Sequence, residues 1–205
     1  MTRFFDSDTL LIGSHNKKKI EEIASLLSPY VPTFKNAAEL TLEEPEETGA
    51  TFEENAKIKA VTLAQETGLP TLSDDSGFCV EALDGAPGVY SARWAIPHEG
   101  AERDFVYAQQ KVWDQIKDQD NFKASFQSVL CLAWPDGEAV FAHGVIEGDI
   151  QWPPRGSKGF GYDPIFVPKG YDLTFAEMSF EQKQSISHRR LAFDALINRY
   201  FKKAA

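Results

Sequence analysis

Two adjacent aspartates followed by serine and glycine, in the run Ser73-Asp74-Asp75-Ser76-Gly77, are where this chain most plainly could do chemistry. They come just after the short apolar segment Leu69-Pro70-Thr71-Leu72, which reads as a strand. Neighbouring carboxylates at a strand end repel each other unless a cation or a shared proton relieves them. Ser76 and Gly77 permit a tight turn and a close backbone approach to a ligand. A second acidic pair stands in Glu46-Glu47-Thr48-Gly49. Glu46, Glu47, Asp74 and Asp75 together would make a set of hard oxygen ligands of the kind that suits Mg²⁺ bridging to phosphates. No His or Cys cluster competes for a softer metal.

Three further groups complete the chemistry. Ser14-His15-Asn16-Lys17-Lys18-Lys19 lies between an apolar strand and a helical pattern. Lysines at a helix start oppose the macrodipole, and the conflict points to an anion held by amides and ammonium groups together. Gly159-Phe160-Gly161-Tyr162-Asp163-Pro164 sets two aromatic faces between glycines, a loop able to frame a purine ring. Lys183 and Ser187-His188-Arg189 place basic side chains at another helix start, where His donates to a base carbonyl and Arg to oxygens. His15, His98 and His143 have no evident partner and read as surface or structural. His15 enters the candidate set only as part of the lysine loop.

The elements that must position these residues interleave. Thr9 to Gly13 reads as a buried strand and Lys17 to Leu27 as a helix, with Ile20, Ile23, Ala24 and Leu27 at helical spacing. A loop rich in Glu and Pro covers 43–49. Thr51-Phe52-Glu53-Glu54 has the capping-box pattern of a helix that Gly68-Leu69-Pro70 stops. The stretch 72–94 reads as short strands broken by glycine and proline, and 102–117 as helix. Segments 125–134 and 139–150 read as strands of a hairpin around Pro135-Asp136-Gly137. Pro164 to Val167 reads as a short strand. A capping signal at Ser179 to Gln182 opens a short helix, and a longer one runs from about Ser187 to Phe201. The class is α/β with a mixed sheet flanked by helices, because the central hairpin rules out a purely parallel one.

Bulk composition narrows the partners. The chain has 205 residues, 42% hydrophobic and 25% charged, with net charge −10. That is room for one sizeable core or a domain with two lobes. Such a charge excludes DNA or RNA binding by bulk electrostatics, so phosphate chemistry needs a local basic pocket. No apolar run approaches the ~20 residues that span a bilayer. The first residues lack a signal-peptide layout. Cys79 and Cys131 stand far apart in apolar stretches and read as reduced core thiols of a cytoplasmic protein.

With these residues in view, the sequence resembles the inosine triphosphate pyrophosphatase family, the dITP/XTP pyrophosphatases. Ser14, Asn16 and Lys19 meet the pattern Ser/Thr-x-Asn-x-x-Lys. Glu46 to Gly49 and Phe52 to Ala56 match two further segments, and Asp74 to Gly77 with Gly85 to Arg93 a longer signature. Gly159 to Phe166, Lys183 and Ser185 to Arg189 complete the set. Arg190 departs from the pattern, where a small residue is usual. The stretch 95–122 carries no family motif and is assigned no function.

The resemblance implies one ITPase-like α/β domain over 1–205, with a long mixed sheet and two lobes flanking a central cleft that takes the nucleotide. It implies a homodimer that hydrolyses ITP, dITP and XTP to the monophosphate and pyrophosphate with Mg²⁺. That activity would cleanse the nucleotide pool. Glu47 and Asp75, with Glu46 and Asp74, are then the metal ligands, and Asp75 the general base. Ser14 to Lys19 and Ser76 bind the substrate, Phe160, Gly161, Tyr162 and Asp163 frame the base, and Lys183, His188 and Arg189 read its 6-oxo edge. Three other readings compete. They are a Maf-like pyrophosphatase for modified pyrimidine triphosphates, a Mg-nucleotide sensor without turnover, and a two-carboxylate glycosidase. Phe160 to Asp163 and the Ser-His-Arg segment oppose the first, both acidic pairs the second, and the adjacency of Asp74 and Asp75 the third.

Overall fold

Strands and helices interleave, with β1 a short buried apolar run and the first helix marked by apolar residues about 3.6 apart. A computed structural model describes residues 3–202, Lys18 by its backbone alone. The apolar run Thr9–Ile12 forms β1, buried from Leu10 to Ile12. Helix α1 (Lys17–Leu27) begins at Asn16, whose side chain accepts the Lys19 N–H at 3.3 Å, and buries Ile23 and Leu27. Strand β2 (Thr33–Asn36) follows and pairs parallel to β1, Thr9 opposite Thr33 and Ile12 opposite Asn36. The sequence reading places no element there, because Thr-Phe-Lys-Asn is polar and lies at the sheet edge.

Helix α2 (Phe52–Thr67) carries the expected capping box. Thr51 Oγ1 accepts the Glu54 N–H and Glu54 Oε2 accepts the Thr51 N–H, both at 3.1 Å. Gly68, at φ +69°, ends it in the left-handed conformation. Strand β3 (Thr71–Val80) corrects the expected turn: Ser73 to Gly77 lies inside one ten-residue strand rather than at a strand end. Successive side chains of a strand point to opposite faces, so Asp74 and Asp75 do not crowd one another there.

Helix α3 (Phe105–Ile116) starts where Asp104 Oδ1 accepts the Val106 and Tyr107 N–H groups, three residues later than the composition implied. Strands β4 (Lys123–Ala133) and β5 (Ala139–Ile150) are neighbours joined by a five-residue turn, which only an antiparallel pair allows. The turn closes with Trp134 N–H to the Glu138 carbonyl at 2.9 Å. Pro164 ends up in a short 3-10 turn, Asp163–Ile165, and β6 (Phe166–Pro168) pairs antiparallel to β5 only beyond it. Helices α4 (Phe180–Ile186) and α5 (His188–Tyr200) close the chain. The sheet order is β2-β1-β3-β4-β5-β6, mixed as expected.

Two compact units share the chain. Unit 1 takes Met1–Asp75, Ser128–Gly144 and Leu191–Ala205, and unit 2 takes Ser76–Gln127 and Val145–Arg190. Unit 1 packs the aliphatic residues of β1 and α1 with Leu72, Leu130, Trp134 and Phe193. Unit 2 is aromatic at its centre, with Phe126 edge-on to Phe166 at 5.0 Å and Phe78 tilted against Phe126 at 5.0 Å. Cys79 and Cys131 are buried free thiols, as expected, and burial pushes them up to about 11 and about 12. No helix among the described residues is long and apolar enough to cross a membrane.

Candidate active site

Unit 1 gathers the lysine loop and the acidic residues. Ser14 is buried, and its Oγ accepts the Asn16 N–H at 3.2 Å, bending the chain into α1. Lys19, one turn into α1, sends Nζ to both oxygens of the buried Asp74 at 2.8 and 2.7 Å. Lys17 is exposed and 4.0 Å from Glu21. The Lys18 side chain lies outside the described residues. His15 is exposed, with Nε2 at 2.8 Å from the Leu42 carbonyl oxygen, and His143 lies 3.2 Å from Glu53.

Two residues of α2 that sequence reasoning gave no role organise this cluster. Asn55, 1% exposed, donates to Asp75 Oδ2 at 3.0 Å and accepts the Gly49 N–H at 2.8 Å. One amide therefore ties the acidic loop to the aspartate. A Cβ on Gly49 would stand 2.7 Å from Asn55 Oδ1, so the loop needs glycine there. Lys59, one turn further on, is buried and reaches Glu47 Oε1 at 2.5 Å. Desolvation lowers its pKa, but Asp74, the bond to Glu47, and Asp75 outweigh that and raise it above the ordinary lysine value. Asn55 was visible within the segment Phe52–Ala56, and Lys59 lies at i+4 from it on the same helix face.

The carboxylates are thus held by ammonium and amide groups rather than crowded together as a bare quartet. Glu46 is exposed, and no group of three or more His, Cys, Asp or Glu is arranged to hold a metal among the described residues. Mg²⁺ asks for less than such a cage: one or two carboxylates, waters and substrate oxygens suffice. Glu47, Asp74 and Asp75 supply hard oxygens around a point that already attracts a cation, Lys59. The donor set fits Mg²⁺.

Unit 2 holds the aromatic loop and the basic residues. Phe160 is 62% exposed, whereas Tyr162 is 2% exposed. The Tyr162 ring stacks on Phe78 at 4.8 Å and its hydroxyl donates to the Ser91 carbonyl at 2.9 Å. Burial pushes its phenol up in pKa. This corrects the expectation of two free aromatic faces: Tyr162 is core, and Phe160 alone presents a ring. Asp163 is buried and accepts from Lys183 Nζ and from the Phe160 N–H, the latter at 2.8 Å. Burial raises its pKa against the pull of Lys183, the Phe160 N–H and Arg189. A Cβ on Gly159, at φ +76°, would collide with the Asp163 carboxylate. Gly161 has φ +67°.

Lys183 Nζ and Arg189 Cζ lie 5.0 and 5.4 Å from the Phe160 ring centre. His188 is buried, its ring stacked on Phe126 at 5.1 Å. Ser76, half-buried, begins unit 2's share of β3. Lys183 and Arg189 are therefore grouped with Phe160, whereas His188 packs on Phe126 in the aromatic core.

Comparison with known proteins gives these clusters a setting. The model of the Ham1 family matches residues 10–199. This chain belongs to the Ham1 family. The Ham1 chain is 52% identical over 208 residues to a protein of Agrobacterium fabrum called dITP/XTP pyrophosphatase, covering 95% of this chain and 97% of that protein. Its fold is similar to the Ham1 protein structure of Coxiella burnetii, with TM-score 0.86 and 38% identity over 94% of this chain and 98% of that one. The Staphylococcus aureus Ham1 structure gives 0.84 and 36%, over 92% and 95%. The Ham1 match spans every candidate residue from Ser14 to Arg189.

Proposed function

We propose that this Ham1-family chain is a Mg²⁺-dependent nucleoside triphosphate pyrophosphohydrolase that converts ITP, dITP and XTP to the monophosphate and pyrophosphate, cleansing the nucleotide pool. The observation that carries the reading is the carboxylate–ammonium cluster of unit 1, where Asn55 orients Asp75 and Lys19 and Lys59 neutralise Asp74 and Glu47. Relatives at about this identity bear the name dITP/XTP pyrophosphatase.

Asp75 takes the proton of the attacking water, its second oxygen steadied by the Asn55 amide. Ser14, Asn16 and Lys19, with the helix-start amides, bind phosphate oxygens. Mg²⁺ held by Glu47 and Asp75, with Glu46 and Asp74 as further oxygens, would neutralise the triphosphate. Water adds at the α-phosphorus, the bond to the bridging oxygen breaks, and pyrophosphate leaves with that oxygen. Phe160 stacks on the purine and Lys183, His188 and Arg189 donate to its 6-oxo edge. Adenine presents an amino donor at that position and is rejected.

We further propose a homodimer of cytoplasmic location without nucleic-acid partners. Supporting this are the family resemblance, the reduced buried thiols and the net charge of −10. Light scattering at micromolar concentration tests the dimer.

The activity is tested by pyrophosphate release from ITP, XTP, dITP, ATP and GTP, with Mg²⁺ and with EDTA, beside Asp75→Asn. Metal-dependent cleavage confined to the deaminated purines and lost in the variant is expected. Equal turnover of ATP, or wild-type turnover by Asp75→Asn, would overturn the substrate or the base assignment respectively.

A further inference from the structure

We infer that Gln109, in the stretch to which the sequence assigned no function, is a positioning residue that holds the Phe160 loop in its binding geometry. The inference rests on the reading of Phe160 as the platform for the base. Helix α3 buries Ala108, Gln109, Val112 and Ile116, and Gln109 is the polar member of that stripe at 4% exposure. An apolar side chain would pack there without penalty, whereas a buried amide must be hydrogen-bonded to be tolerated. Gln109 Nε2 donates to the Gly161 carbonyl at 2.7 Å.

That bond falls on a loop whose other ties lie to either side of Gly161: Lys158 N–H to the Ala176 carbonyl, Phe160 N–H to Asp163, and Tyr162 hydroxyl to the Ser91 carbonyl. Residues 156–160 are exposed, and Gly159 and Gly161 take left-handed φ that only glycine adopts readily, so the unfolded loop has the most backbone freedom to lose. A cavity of about 310 Å³ borders the loop, lined by Arg103, Phe105, Val106, Ser157, Phe160 and Pro164, so packing from that side is incomplete. Side chains fix the backbone on both flanks of the Phe160 ring. Asp163 accepts the Phe160 N–H and Gln109 donates to the Gly161 carbonyl. With one anchor removed, the backbone beside Phe160 gains freedom, and substrate must restrain it again on binding. The cost appears in ground-state binding, since Gln109 itself touches no reacting group.

The test compares the whole wild-type enzyme with Gln109→Met, which keeps volume and helix propensity but loses the donor. Amide hydrogen exchange of peptides covering 157–162 is followed without substrate, and steady-state kinetics on ITP with Mg²⁺. Exchange is expected to quicken at the loop by roughly three- to tenfold, the size of one neutral hydrogen bond. KM should rise by a similar factor while kcat stays near wild type, with the melting temperature lower by no more than the roughly 2–4 °C that one such bond is worth. A merely structural role would lower the melting temperature as much or more and leave KM alone. Unchanged loop exchange, or faster exchange with unchanged KM, would overturn the inference. A wild-type enzyme inert toward every purine triphosphate would sink the proposed function instead, and exchange would still decide whether Gln109 holds the loop. If Gln109→Met does not fold, Gln109→Leu is read by the same two measurements.

Discussion

At Lys59 two needs meet: a buried ammonium requires anions, and the carboxylates around it require a cation. Glu47 supplies the direct bond, with Asp74 and Asp75 adding to the field. Lys59→Met would leave these carboxylates short of their counter-charge. Loss of about 2–3 kcal/mol is expected in urea unfolding at neutral pH, below the usual figure for an enclosed pair because Glu47 is partly exposed. The sign with pH follows from the raised pKa of Lys59. The pairing is fully present below the ordinary lysine value of 10.5 and is lost as pH rises through the higher folded value. The sequence concealed this residue. A lysine on a helix with Lys57 two positions away has the ordinary appearance of a solvated face, and only tertiary placement buries it. The same limit applies to Phe160 and Tyr162, equal as letters, of which one is exposed and the other stacked in the core. Lys19 was legible as a lysine at a helix start, and the structure sets it against Asp74; the clash read between Asp74 and Asp75 belonged to a turn that the strand replaces.

Helix α2 shows what an element contributes to the cluster, since it carries both Asn55 and Lys59 on one face, within two turns of its start. Its first turn is fixed by the Thr51–Glu54 capping box. Thr51→Ala is expected to cost about 1 kcal/mol, seen as a melting temperature lower by roughly 2–4 °C for a chain of this size. That box was readable because its signal is contained in four consecutive residues. The long hairpin strands β4 and β5 were readable for a similar reason, a turn between two strong β patterns. Strand β2 was not, being polar and held at an edge by β1 alone. Strand β3 was misread at Ser76-Gly77 because turn-forming letters were taken as a turn. The backbone runs extended through Ser76-Gly77 as part of β3, which begins paired parallel to β1 at Thr71 and Leu72, and Asp74 and Asp75 bond Lys19 and Asn55 from within it.

For the whole molecule, the two thiols report on the integrity of both units, Cys131 in unit 1 and Cys79 in unit 2. Burial raises both pKa values, to about 12 and about 11 from the ordinary thiol value of 9.0. The unfolded chain therefore ionises first, and stability that is full below 9.0 declines as pH climbs toward 11. In mildly alkaline buffer the native protein should resist a thiol-specific chromogenic reagent, while both cysteines react in guanidinium. Prompt labelling of the native form would contradict the burial of Cys79 and Cys131 described above. The division of the chain between the units has a further bearing, on synthesis. Unit 1 draws on three separated segments, and the Phe5 N–H bonds the Tyr200 carbonyl at 2.8 Å while the Phe5 and Phe201 rings stack. A ribosome releases the chain from its amino end, so the first strand and helix emerge long before the helix that completes their core. Unit 2 takes its last residues, up to Arg190, from the first turn of that same helix. A chain cut before His188 would therefore lose two things at once: Ala192, Phe193 and Leu196 from the unit 1 core, and Arg189 from beside the Phe160 ring.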